Sequence, residues 1–260
     1  MSHFVLVHGA WHGPWCWQPL EAVLRGMGHT TEAVELHGDD AGSTGAAARL
    51  TLDASAGRVV AAVRRGADGG SRTRPILVAH SMGGLAATQA AALVADELAA
   101  LVYVCAFVPG PGESMLDLSA TGFETSAVRD CRVVDERNGC SAILREGAVE
   151  AFYGCCEPKA AAWAQERLRP ESLLVETQPV TAPSVSGRVP RFYVECTRDR
   201  AIPLAKQRSM HRGFAPEHVL TLDTDHSPFL SRPVELAGLL DRVSGDPVGG
   251  QLPPPGGDLS

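Results

Sequence analysis

A serine set between small residues, where a buried strand should give way to a helix, is the stretch of this chain whose side chains and spacing most clearly suggest chemistry. In Pro75-Ile76-Leu77-Val78-Ala79-His80-Ser81-Met82-Gly83-Gly84, the run Ile76 to Val78 is short, apolar and rich in β-branched residues, as expected of a strand covered on both faces. Leu85 to Val94 is built of helix formers. A turn this sharp forces strained angles on its central residue and brings its flanks together, so the positions two before and two after must be small, as Ala79 and Gly83 are. Ser81 is then presented at the positive end of a helix, with the Met82 backbone N–H free to face an oxyanion. That geometry suits acyl transfer with Ser81 as nucleophile.

A serine hydroxyl attacks poorly until a base takes its proton, and the base is ordinarily a histidine oriented by a carboxylate. On a sheet of this kind the acid follows a later strand and the histidine follows the last one. Asp199 comes after a strand expected at Arg191 to Thr197, and His226 after one expected at His218 to Leu222, so both fall on the rim where Ser81 emerges. Asp223 and Asp225 are nearer to His226 in sequence, but a neighbour in an extended loop points its side chain away. Asp199 is therefore the expected acid and Asp225 a turn residue. Arg198 and Arg200, which flank Asp199, read as a solvated charged loop.

The second oxyanion donor is expected from the loop after the first strand, His8-Gly9-Ala10, as the Ala10 N–H, with Gly9 allowing the backbone to approach the substrate. His8 and His12 share that loop without a third convergent ligand, which favours structural roles over a metal site. His80 is expected to face away. Neither a G-x-G-x-x-G pattern nor a G-x-x-x-x-G-K-[ST] loop follows any strand, so no nucleotide cofactor and no metal are expected.

The elements that must position these groups alternate. Strands are expected at Phe4 to Val7, Thr30 to Leu36, the elbow, Ala99 to Phe107, Arg191 to Thr197 and His218 to Leu222. Helices are expected at Gln18 to Arg25, Ala46 to Arg65, Leu85 to Val94, Leu204 to Arg212 and Val234 to Val243. This rhythm predicts an α/β chain with a doubly wound, mostly parallel sheet of about six strands, whose loops at the carboxyl ends form the site. The core is expected from residues 1–107 and 190–244, and residues 108–189, where the rhythm breaks, form a helical insertion packed over the sheet. Residues 245–260, rich in Pro and Gly, are expected to be a disordered tail.

With 260 residues, 45% of them hydrophobic, there is enough chain for one well-buried domain. A formal charge of −7 without a Lys/Arg cluster leaves no footprint for nucleic acid or an anionic membrane. Seven scattered cysteines without C-x-x-C pairs suggest reduced thiols and a cytoplasmic protein. The longest uncharged stretch, Leu98 to Gly112, is too short to span a bilayer.

With these residues in place, the chain from Phe4 to about Val243 resembles the α/β-hydrolase superfamily, and more narrowly its branch of salicylate-binding-type methylesterases and hydroxynitrile lyases with their bacterial relatives. The resemblance is carried by Phe4 to Gly13 with Trp15 and Trp17, Ala79 to Gly84, Arg167 to Leu173, Tyr193 to Pro203, and Asp225-His226-Ser227-Pro228-Phe229. It implies an α/β-hydrolase fold; the pocket is expected between the elbow and the insertion, with Trp11, Met82, Phe107, Met115, Leu116, Phe152, Trp163 and Phe229 as candidate walls. The chain departs from the lyases at Ser227, where they carry a lysine, and at Ala10, where they carry a threonine.

The leading expectation is a serine hydrolase of small, mainly apolar carboxylic esters. A lyase or cyclase using the same triad as acid and base, and a ligand receptor on a hydrolase scaffold, are the alternatives. The expected partner is a small-molecule substrate, and the oligomeric state, homodimer included, stays open.

Overall fold

The computed structural model describes residues 1–37, 49–68 and 73–245. The tail expected beyond Gly245, and the start of the helix expected from Ala46, lie outside the described residues.

In chain order the elements are β1 (His3–Val7), a 3-10 turn at Pro14–Trp17, α1 (Gln18–Gly26), β2 (Thr30–Val34), α2 (Leu52–Asp68), β3 (Ile76–His80), α3 (Gly83–Leu93) and β4 (Ala100–Val104). There follow α4 (Met115–Ser119), α5 (Val128–Cys131), β5 (Arg132–Asp135), β6 (Cys140–Ile143), α6 (Arg145–Phe152), α7 (Pro158–Gln165), β7 (Glu171–Ser172) and α8 (Leu173–Thr177). The chain closes with β8 (Arg191–Cys196), α9 (Leu204–Met210), β9 (Val219–Leu222), α10 (Pro228–Ser231) and α11 (Pro233–Gly245).

Six strands form one parallel sheet in the order β2-β1-β3-β4-β8-β9. Because side chains alternate across a strand, β3 sends Leu77 and Ala79 into the core beneath α2 and α3, and Ile76 and Val78 into the core beneath α1 and α11. Every residue of β3 and β4 is buried, which is why these strands read as unbroken apolar runs. Burying each Val, Leu or Ile contributes roughly 1.5–3 kcal/mol. The alanines of α3, covered all round, let that helix lie close against the sheet.

The chain runs from β1 outward to β2 on one side, then returns to place β3 on the other. The loops after β1 and β3 therefore diverge, leaving a crevice at the carboxyl ends of these two strands, the usual place for a ligand in such sheets. One loop carries Ala10 and the other Ser81.

Between β4 and β8 the chain leaves the sheet. The insertion was expected to be helical, but it also holds a three-stranded antiparallel sheet, β5-β6-β7. β5 is largely exposed and β7 has only two residues, so neither shows an apolar run. Among the described residues no helix is long and apolar enough to cross a membrane.

Candidate active site

Ser81 follows the last residue of β3 and takes φ 53°, in the left-handed region that a serine avoids. Such strain costs on the order of 1–3 kcal/mol and persists only where the surroundings impose it. Here the Ser81 carbonyl accepts from the N–H groups of Phe107 (3.0 Å) and Gly84 (3.1 Å). The glycines beside it have no room for a side chain. A Cβ on Gly83 would come within 2.4 Å of the His8 carbonyl oxygen, and one on Gly84 within 2.0 Å of the Phe107 carbonyl oxygen. Gly9 is needed for a different approach from the one expected. A Cβ there would come within 2.6 Å of the Ser81 Cβ, so Gly9 lets the loop after β1 pack against the elbow.

His226 is buried, and its Nδ1 lies 2.7 Å from Asp199 Oδ2, which leaves Nε2 as the basic nitrogen. Asp199 is held in turn by the N–H groups of Ala201 (2.7 Å) and Ile202 (2.8 Å) and by the Gln207 amide (3.1 Å). Gln207 had no local signature, being one polar residue on the buried side of α9. Arg198 pairs with Asp223 and Arg200 with Glu150, away from the acid.

Asp225, expected as a turn residue, also has a second role. Its Oδ1 accepts from the Ser227 N–H (3.1 Å), but its Oδ2 takes the Cys155 N–H (2.7 Å), tying the insertion to the loop of His226. His80 lies behind the elbow rather than on the cavity, and its Nε2 bonds to the His226 carbonyl oxygen at 2.8 Å. Burial holds His80 neutral, far below the usual imidazole range.

In the loop after β1, the His8 ring reaches the Gly9 carbonyl oxygen (2.9 Å) through Nδ1, and the His12 ring reaches the Ala10 carbonyl oxygen (2.8 Å) in the same way. The other nitrogen of His12 meets the Tyr153 hydroxyl at 2.8 Å, and burial depresses His12 to about 3. Among the described residues, the backbone N–H groups of Ala10 and Met82 have no protein acceptor.

His8 does have convergent neighbours, contrary to expectation. Ligand-capable atoms of His8, Glu35 and His37 lie within 4.8 Å of one another. The Arg169 guanidinium occupies this cluster, with Nη1 and Nη2 on the two Glu35 oxygens at 3.0 and 2.7 Å. A fixed arginine there takes the place that a metal cation would need.

A cavity of about 550 Å³ opens between the crevice and the insertion. Ser81, His226, Ala10 and Met82 line it, as do Trp11, Phe107, Met115, Leu116 and Phe152. Two expected wall residues do not. Phe229 is fully buried beneath the site, packed against Trp17 and His80, and Trp163 lies edge-on to Trp15 under the Arg167 guanidinium. Phe123, Ile202 and Arg132 line the cavity without having been anticipated, because each is brought in by tertiary packing alone.

The strained serine on its strand-to-helix turn lines the same cavity as an imidazole bonded to a carboxylate. The alpha/beta hydrolase family matches residues 4–239, and the chain belongs to it. The chain is 30% identical to Methylesterase 7 of Arabidopsis thaliana, over 93% of this chain and 95% of that one. It is 29% identical to Methyl jasmonate esterase 1 of Vitis vinifera, over 93% and 96%. The solved structure of an Arabidopsis methylesterase superposes with a TM-score of 0.76 at 25% identity, over 94% of this chain and 99% of that one. With these relatives, a carboxylic ester hydrolase is the enzyme class supported for this chain.

Proposed function

We propose that the chain hydrolyses a small, mainly apolar carboxylic ester through an acyl-enzyme on Ser81. The observation that carries this reading is the His226 ring, bonded through Nδ1 to Asp199 and lining the same cavity as the strained Ser81. His226 Nε2 takes the hydroxyl proton as Ser81 Oγ attacks the carbonyl carbon, and Asp199 stabilises the imidazolium that forms. The Ala10 and Met82 N–H groups receive the charge on the carbonyl oxygen, an arrangement that contributes more in a dry cavity than in water. His226 returns the proton to the departing alcohol, and water, activated by the same ring, releases the acid. Trp11, Phe107, Met115 and Phe152 suit an apolar acyl or aryl group. The relatives' names make methyl esters the natural physiological candidates.

The test follows release of para-nitrophenol from short acyl esters. Ser81→Ala is expected to reduce kcat by roughly four orders of magnitude or more with the fold retained. A variant as active as the wild type would refute the proposal. Trapping of an acyl group on Ser81, seen by intact mass, separates hydrolysis from acid-base chemistry without a covalent step.

A further inference from the structure

Glu171 is 2% exposed, lies in β7 of the insertion, and is not used by the chemistry above. A carboxylate buried this deeply is costly unless it is paired, and a well-packed apolar residue would often be as stable there. Its bonds show where it acts. Oε2 accepts the Trp11 N–H at 3.3 Å, and Oε1 meets His37 Nε2 at 3.2 Å and the Ser172 N–H at 2.9 Å. We infer that Glu171, bonded to His37, is a positioning residue for the oxyanion hole: it fixes the Ala10–Trp11 peptide and so, together with the His8 bond to the Gly9 carbonyl, the direction of the Ala10 N–H. This rests on the hydrolase reading.

Trp11 has φ 60°, a left-handed conformation that a tryptophan keeps only under constraint. Both ends of the peptide before it are tied, the N–H to Glu171 and the Ala10 carbonyl to His12. The Trp11 carbonyl accepts the Arg169 N–H at 3.0 Å. The peptide one step earlier is held through the Gly9 carbonyl by His8. With these groups engaged, the Ala10 N–H is the donor left free to meet an oxyanion.

The charges facing His37 are Glu35, from the end of β2, and Glu171, from β7, with the His8 ring stacked at 5.6 Å and Arg169 close by. Burial alone would depress His37, but its bonds to Glu171 and Glu35 prevail and push it up to about 9. The same bond, working against burial, holds Glu171 below the usual carboxylate range. At neutral pH the two are an ion pair beneath the loop.

The experiment compares the full-length wild type with Glu171→Ala and Glu171→Gln, reading kcat and KM on a para-nitrophenyl ester together with affinity for phenylboronic acid, whose tetrahedral adduct occupies the oxyanion hole. Misplacing one donor should cost about ten- to a hundredfold in kcat. Glu171→Ala is expected to show that loss in kcat and in boronate affinity, with KM changed by less than about twofold. Glu171→Gln, whose amide oxygen can still accept the Trp11 N–H, should recover most of it. An unaltered kcat in Glu171→Ala, a loss confined to KM, or a glutamine variant as impaired as the alanine one would each overturn the inference.

Should Glu171→Ala not fold, the alkaline profile decides. Wild-type kcat should fall as His37 loses its proton near pH 9, and Glu171→Gln, which needs no counter-cation, should lack that decline. A shared decline, or none in the wild type, overturns the inference. A wild type whose activity does not depend on Ser81 refutes the hydrolase reading and takes this inference with it. Dependence on Ser81 with indifference to Glu171 refutes this inference alone.

Discussion

The two sides of the cavity are held by different forces. On the side of the base, Asp199 is satisfied by backbone N–H groups and an amide, and the His226 carbonyl by a neutral, buried His80. All of these residues come from the sheet, its own loops and α9. On the side of the Ala10 N–H, the loop leans on charges: Arg169 on Glu35, and His37 on Glu171, with Arg169 and Glu171 supplied by the insertion. The first arrangement rests on backbone donors, an amide and a neutral ring. The second joins two parts of the chain and depends on one histidine keeping its proton.

The sharpest way to break the contrast is to damage one side and leave the other intact. Asp199→Ala should lower kcat by about three to four orders of magnitude, because the imidazole loses its orientation and its stabilised charge. The alkaline decline assigned to His37 should persist in what activity remains. If that decline vanished with Asp199, the two sides would not be separate.

The next effect is on folding. Gly84→Ala should lower stability by at least about 2 kcal/mol, measured by urea unfolding, because its Cβ would meet the Phe107 carbonyl oxygen at 2.0 Å and neither backbone can yield cheaply. Loss of activity without loss of stability would show that the elbow moves more readily than its contacts imply.

The last effect sets the charged His37 apart from the neutral buried rings by sign. His37 has a folded pKa above its unfolded value of 6.5, so its contribution is fully present below pH 6.5 and is lost as pH rises through about 9. The change should be about 3 kcal/mol and should disappear in His37→Gln. His80 and His12 are depressed by burial, so they act in the opposite direction: stability falls as pH drops below 6.5, where the unfolded chain takes up protons that these rings refuse. Unfolding midpoints across pH should therefore fall at both ends, and the His37 variant should lose only the alkaline fall.

The same division explains what could be read from the residues. β3, β4 and the elbow are legible because burial on both faces writes itself as an unbroken apolar run ending at a serine between small residues. The approach of Asp199 to His226 follows from the order of the strands. Glu171 and His37 could not be found this way, since a carboxylate and a ring that meet across 134 positions leave no local pattern. β5 escaped notice because an exposed edge strand has no apolar face to display. Phe229 and Trp163 were misplaced for a related reason: an aromatic residue near a site in sequence packs wherever the neighbouring helices leave room, and here that is beneath the cavity and beside it.

The contact between Gly9 and the Cβ of Ser81 carries a consequence for descent. Cysteine and aspartate share that carbon with serine, so the nucleophile could be exchanged for either over generations while position 9 stayed glycine. The reverse does not hold, because any side chain at position 9 would press on the elbow whichever nucleophile stood there. In this chain the nucleophile's position admits a change of chemistry, and position 9 does not admit a side chain.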